Sequence, residues 1–309
     1  MDDEKAPPGS QNVFVQPRPA NESARTSRSV RVKVRCGYDG GAFHGWARQP
    51  GLTTVQGEIE QGLHTLIRRE IRTVVAGRTD AGVHAEAQVF QFDLTQDEWW
   101  GLARGKSALD PGESLVRRLN GTLKHLDGAI HIYTAERAPE GFDARFSPTQ
   151  RRYRYRIADR VENFRPLERH FTCWLGRELN VSLMQAEANT VLGLHDFLSF
   201  CKPKPDATTI RTVHDIRIAR DDSGIITAEL VADAFCHNMV RALMGALIQV
   251  GEGSKDPGWL AHRLAAKVRD SQVRLAPAEG LILSGVDYPN DEDLASRAEQ
   301  TRAKRDTER

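Results

Sequence analysis

Val30-Arg31-Val32-Lys33-Val34-Arg35-Cys36 alternates apolar and basic residues without a break. A period of two belongs to a strand with one buried face. Downstream runs GYDGGAFHGWARQPG (37–51), a glycine-rich loop of the kind that brings backbone close to a ligand. Thr53 and Gln56 then have capping-box spacing. Val55, Ile59, Leu63, Leu66 and Ile67 share one helical face. Ile71 to Ala76 predicts a second strand, GRTDAGVH (77–84) a turn, and Ala87 to Asp93 a third strand, so the segment reads β-loop-α-β-turn-β. A helical region over 97–122 and a strand over 129–137 follow.

Ser147-Pro148 punctuates the chain, and a domain boundary is placed there. Beyond it the pattern predicts a strand over 152–158, a helix over 180–193, strands over 211–220 and 225–232, helices over 237–250 and 257–268, and a last strand over 281–286. The expected organisation is therefore two α+β halves with mostly antiparallel sheets, 29–147 and 148–289. Residues 1–28 are rich in Pro, Ser, Asn and charge and read as a disordered tail; 290–309 read as a second polar tail with at most a frayed helix.

With 39 % hydrophobic and 28 % charged residues the chain reads as soluble and globular. No apolar run reaches the roughly 18 residues of a membrane helix, and the start lacks the signal-peptide pattern. The expectation is a cytoplasmic protein. Cys36, Cys173, Cys201 and Cys236 form no CxxC pair, so they are expected as buried free thiols. GxxxxGK[ST], GxGxxG and HExxH are all absent. Net charge is only +1, yet Arg145 to Arg156 (RFSPTQRRYRYR) holds five arginines and no acid, a run able to bind an anionic backbone.

Three short constellations invite chemistry. In GRTDAGVH, Asp80 before Ala-Gly is ordinary turn chemistry. Arg78 stands two residues earlier, which on an extended backbone puts both side chains on one face. An arginine so close favours the ionised carboxylate, suited to nucleophilic attack and poor as a general acid. In Arg152-Tyr153-Arg154-Tyr155-Arg156-Ile157, the tyrosines share one face of a strand and the arginines the other. That pattern fits a strand with its tyrosines in a core. It equally fits an RNA surface on which an aromatic stacks on a base and guanidinium groups hold phosphates. In Phe235-Cys236-His237-Asn238-Met239-Val240-Arg241, Cys236-His237 lacks a second ligand pair at metal spacing. Arg241 opens a helix of Ala, Leu, Met and Ile, where it needs an anion, carboxylate or phosphate.

GRTDAGVHA (77–85), RRYRY (151–155) and FCHNMVR (235–241), in that order, closely resemble the tRNA pseudouridine synthase A family. YDGGAFHGWARQP (38–50), TVQGEIE (54–60), FDARFSPT (142–149) and AEGLILSGVDYP (278–289) agree, so the resemblance spans about residues 30–289. It implies two RRM-like (ferredoxin-like) halves joined around a central catalytic cleft. It also implies a homodimer needing neither metal nor organic cofactor, and uridines 38–40 of the tRNA anticodon stem-loop as substrate. By the same resemblance Asp80 is the nucleophile, Tyr153 the active-site tyrosine that stacks on uracil, and Arg78 and Arg241 flank the cleft, Arg78 orienting Asp80. Arg152, Arg154 and His84 join Tyr153 and Arg241 as candidate substrate contacts. Asp80 could attack the ribose or the uracil ring, or assist elimination at the sugar. The segment 99–126 departs from the family's usual form, with Asn120 kept but Gly-Thr-Leu-Lys in place of a proline turn. Two rival readings are a non-catalytic tRNA-binding chaperone on the same scaffold, and a glycosidase that would need a paired general acid, for which Glu86 is the nearest acid in sequence.

Overall fold

A computed structural model describes residues 29–103, 110–203 and 208–306. The tail read over 1–28, and part of the helical region read over 97–122, lie outside the described residues. The opening alternation forms strand β1 (Ser29–Tyr38). Val30, Val32, Val34 and Cys36 are fully buried, while Arg31 reaches across the ladder to Asp93 at 2.9 Å and Lys33 to Glu136 at 3.0 Å. The period of two thus resolves into one core face and one ion-paired face.

Helix α1 (Val55–Ile67) follows the glycine-rich loop. Its N-cap is Thr54, whose hydroxyl accepts from the Gly57 N–H at 3.2 Å, one residue later than the capping-box spacing suggested. The second expected strand shrinks to β2 (Val74–Val75), paired with β3 (His84–Thr95). Then come α2 (Gln96–Gly101), α3 (Pro111–Thr122) and β4 (Ile130–Arg137). In the segment that departs from the family, Asn120 staples α3 to β4: its side chain donates to the Ile132 carbonyl and accepts from the Ile132 N–H, both at 2.9 Å.

The remaining elements are β5 (Gln150–Ala158), β6 (Cys173–Trp174), α4 (Val181–Asn189), β7 (Gly193–Asp196), β8 (Ile210–Arg220), β9 (Ile226–Ala232), α5 (Met239–Gly251), α6 (Trp259–Ala266), β10 (Leu281–Asp287) and α7 (Leu294–Asp306). Two expectations change here. The helix read to 193 ends at Asn189, and Gly193, with φ +98°, already opens β7. The polar stretch from 290 is not all tail: Leu294 and Ala298, one turn apart, are buried and dock α7 on the fold. An apolar stripe that thin escapes a composition reading.

The strands form one sheet in the order β4-β1-β3-β10-β5-β9-β8-β7, with β2 added to β3 and β6 to β5. All its pairings are antiparallel except β3–β10 and β5–β6. The fold is therefore mixed α/β on a mostly antiparallel sheet, as the alternation predicted. Two large hydrophobic clusters lie along it. One gathers β1, α1, β3 and α3; the other gathers Tyr155, α4, β8, β9 and α5. Tyr153 packs against both. Cys201 and Cys236, expected as free thiols, are joined as a disulfide with Cα atoms 5.8 Å apart, whereas Cys36 and Cys173 are free and buried. Among the described residues no helix is long and apolar enough to cross a membrane.

Candidate active site

The GRTDAGVH turn joins β2 to β3 and is held by backbone and side-chain hydrogen bonds. The Trp46 N–H donates to the Thr79 carbonyl at 3.0 Å and the Val83 N–H to the Asp80 carbonyl at 3.1 Å. The Thr79 hydroxyl lies 2.8 Å from that of Tyr38. Gln88 donates to the Tyr38 hydroxyl at 3.1 Å and to the Gly77 carbonyl at 2.8 Å. Val83 drives its side chain into the cluster around Tyr155, a burial that contributes about 1.5–3 kcal/mol to holding the turn down. The glycine-rich loop serves this turn directly. Gly45 takes φ +88°, and a Cβ there would stand 2.8 Å from the Thr79 carbonyl oxygen. The loop's glycines admit the Asp80 turn at van der Waals distance.

That anchoring leaves Asp80 at the rim of an open cavity of about 580 Å³. Tyr153 and the loop Ala234 to Arg241 line the same cavity. Residues far apart in sequence therefore meet: Asp80, Tyr153, Arg78 and Arg241, four of the predicted site residues, share one wall system. Five arginines line it (Arg78, Arg145, Arg151, Arg211 and Arg241), and Asp80 is the one carboxylate among the described lining residues.

Asp80 does not pair with Arg78 as the spacing suggested. Its basic neighbour is His237, whose Nε2 stands 3.3 Å from Asp80 Oδ1 with both side chains about three-tenths exposed. From sequence alone His237 stands out only as half of a metal or thiol pair. Tyr153 meets Phe235 edge-on, ring centroids 5.2 Å apart, which fixes the plane of its ring. Burial lifts the Tyr153 phenol well above its ordinary pKa, and the Asp80 charge lifts it further, so the group is a neutral phenol. Arg241 stands in the first turn of α5, and its Nε donates to the Ala276 carbonyl at 2.9 Å. No carboxylate of the described residues pairs with it.

Three predicted contacts lie elsewhere. Arg152 and Arg154 occupy the opposite face of β5, Arg152 bound to Asp287 at 2.7 Å and Arg154 to Glu86. Glu86, the nearest acid for a glycosidase, is thereby committed to an arginine. His84 is buried, and its Nδ1 faces Asp39 Oδ1 at 3.1 Å, a structural brace rather than a cavity residue. Its ring holds the Asp39 carboxyl below its ordinary range. Arg151 lies on the Tyr153 face and is taken up by carbonyls: it donates to Asp233 at 2.7 Å, Ala76 at 2.9 Å and Arg145 at 3.0 Å.

A concave site with five guanidinium groups and one fixed carboxylate is built for a polyanionic ligand. A family model described as tRNA pseudouridine synthase matches residues 188–289. The tRNA pseudouridine synthase A of Leifsonia xyli is 46 % identical over 286 residues, covering 91 % of this chain and 99 % of its own. That of Frankia casuarinae is 48 % identical over 281 residues, 91 % of this chain and 97 % of its own. That of Streptomyces avermitilis is 45 % identical over 280 residues, with 89 % and 94 % covered. The chain belongs to the tRNA pseudouridine synthase A family.

Proposed function

We propose that this protein isomerises uridine to pseudouridine at positions 38, 39 and/or 40 of the tRNA anticodon stem-loop, with Asp80 as the nucleophile. The observation that carries the reading is the one carboxylate among the described residues of the cavity, fixed by a braced turn beside a tyrosine and five arginines. The reaction breaks the bond from ribose C1′ to uracil N1 and makes one from C1′ to C5; C5 loses a proton and N1 gains one. Nothing is oxidised, and neither metal nor organic cofactor is called for.

Asp80 attacks the ribose or the ring, or assists elimination at the sugar. Tyr153 supplies the platform on which the flipped, detached uracil turns. As a neutral phenol it acts through stacking and hydrogen bonding, not as a phenolate base. Arg241 and Arg78 flank the nucleotide. The cavity is read as the cleft between two RRM-like halves, 29–147 and 148–289, of a cytoplasmic homodimer.

Release of tritium from C5-labelled tRNA tests this. Asp80→Asn is expected to retain tRNA binding and lose more than about 10³-fold in turnover. Release at near wild-type rate by that variant would sink the nucleophile, and no release by the wild-type protein would favour a non-catalytic RNA binder. Tyr153→Phe, which keeps the ring, should keep most of the turnover, whereas Tyr153→Ala should not.

A further inference from the structure

The isomerisation moves a proton as well as a bond, because C5 loses one and N1 gains one. No group assigned so far carries it. Guanidinium groups keep their protons at physiological pH, which sets aside Arg78 of the turn, Arg145, Arg151 of β5, Arg211 of β8 and Arg241 of α5. Tyr153 is held as a neutral phenol. The sulfur of Cys236 is bonded to that of Cys201 and has no thiolate to offer. Asp80 is engaged with the sugar or the ring. Of the titratable side chains among the described lining residues, His237 is left.

Two tethers hold the backbone at His237. The Lys202 N–H donates to the His237 carbonyl at 2.8 Å, and the disulfide joins the preceding residue, Cys236, to Cys201. Asn238, with φ +68°, then turns the chain into α5. The imidazole is thereby kept at the cavity wall, with Nε2 3.3 Å from Asp80 Oδ1 and about three-tenths of the side chain exposed. An atom poised for attack by Asp80 lies about 3–3.5 Å from that carboxylate. The uracil ring therefore comes within reach of Nε2, directly or through one water. Five guanidinium groups disfavour a further cation in the cavity, and the adjacent Asp80 oxygen is what makes an imidazolium tolerable there.

We propose that His237 is the proton carrier of the reaction, its Nε2 taking the proton that leaves uracil C5 and passing one to N1. The inference rests on reading the cavity as the uridine site. Once C5 has bonded to C1′, the C5–H bond breaks, its electron pair returns to the ring, and an Nε2–H bond forms. The imidazolium then gives a proton to N1 and is neutral again. The starting imidazole is the tautomer with its proton on Nδ1. An ordinary imidazole, titrating near about 6.5, is matched to such a task at neutral pH. His237 acts here on a reacting atom, so it is a catalytic residue and not a support for Asp80.

The test uses the full-length protein and the variants His237→Gln and His237→Ala. Single-turnover tritium release from C5-labelled tRNA is followed between about pH 5 and 8, with tRNA affinity measured alongside and a thermal melt to check folding. The wild-type rate is expected to fall as pH drops, because only the neutral imidazole accepts the C5 proton. His237→Gln keeps a polar group beside Asp80 but cannot titrate. It should bind tRNA as the wild type does, lose about 10²–10⁴-fold in rate, and lose the acid limb of the profile. Added imidazole should restore part of the rate to His237→Ala and none to Asp80→Asn. A His237→Gln rate within about tenfold of wild type, an acid limb that survives in that variant, or a His237→Ala protein that imidazole does not revive would each overturn the carrier. Where a variant does not fold, the wild-type profile decides: a rate flat down to about pH 5 excludes an imidazole base. The isomerase reading fails separately, as no tritium release by the wild-type protein at any pH.

Discussion

Arg151→Met tests whether the two loops that face each other across the cavity are set by one clamp. Arg151 donates to the carbonyl of Ala76, one residue before the GRTDAGVH turn, and to that of Asp233, two residues before Phe235. A third bond ties Arg145. Hydrogen bonds from a charged donor contribute about 1.5–3 kcal/mol each. Part of the loss is recovered when water reaches carbonyls at the cavity rim, so the expected destabilisation is about 2–4 kcal/mol, not the sum. The effect on turnover should be larger than stability alone explains. Both anchored carbonyls stand directly upstream of the segments proposed to act on the nucleotide, and a shift of about 1 Å in a catalytic segment costs about 10²-fold in rate. Methionine keeps much of the side-chain length but removes the charge and every donor. The assay is single-turnover tritium release at saturating enzyme on folded protein, checked by thermal melt. Arg151→Lys, with one point charge for three fork-like contacts, should fall between the two. A folded Arg151→Met protein that turns over within about twofold of wild type would refute the clamp, whatever its melting temperature.

Two further outcomes follow from local geometry. Asp159 is fully buried and takes Arg220 Nη1 and Nη2 at 2.6 and 2.7 Å and the Leu179 N–H at 2.8 Å. Burial alone would raise its carboxyl, but these donors outweigh it and hold it below the ordinary value. A carboxylate depressed in the folded state adds stability above its unfolded pKa, near about 3.9, and loses it as pH falls through the folded value. Asp159→Asn should therefore cost about 3–5 kcal/mol at neutral pH and less in acid, by urea unfolding; an equal cost at both would contradict it. Gly45→Ala should disturb the Asp80 turn, costing about 1–3 kcal/mol and lowering turnover. Gly51→Ala is the control, because its φ of +74° is just as unusual but no atom lies within 4 Å of the added Cβ. Equal losses of turnover in both would show that close approach to Thr79 is irrelevant.

The strands were legible because burial imposes a period of two that survives any tertiary arrangement: β1, β4, β5, β8, β9 and β10 all lie where the alternation put them. The elements missed were short, like β6, or had too thin an apolar stripe, like α7. Within the site, Asp80, Tyr153 and Arg241 could each be singled out by residue type. Their meeting could not be read, since β10 and β5 bring them together through pairings between distant segments. The partner of Asp80 is illegible in the sequence for a related reason. Adjacency in sequence fixes how far apart two Cα atoms can be, not where side chains point in an irregular turn. Arg78 is near along the chain, while His237 is near in space.

RRYRYR shows how far such patterns reach. Alternation predicts two faces on β5 but not which one meets the cavity. In the fold the choice falls to the odd positions: Arg151 and Tyr153 line the cavity, and Tyr155 is buried with its hydroxyl donating to the Pro277 carbonyl at 2.9 Å. The even positions carry arginines that are neutralised in turn by Asp287, Glu86 and Glu168. The core reading holds for Tyr155, while the arginines that the RNA reading assigns to phosphates are ion-paired on the other face. A surface of three arginines would bind a phosphate backbone indiscriminately. Ion-pairing them on the far side leaves the positive charge of the cavity to Arg78, Arg145, Arg151, Arg211 and Arg241, around the Asp80 carboxylate.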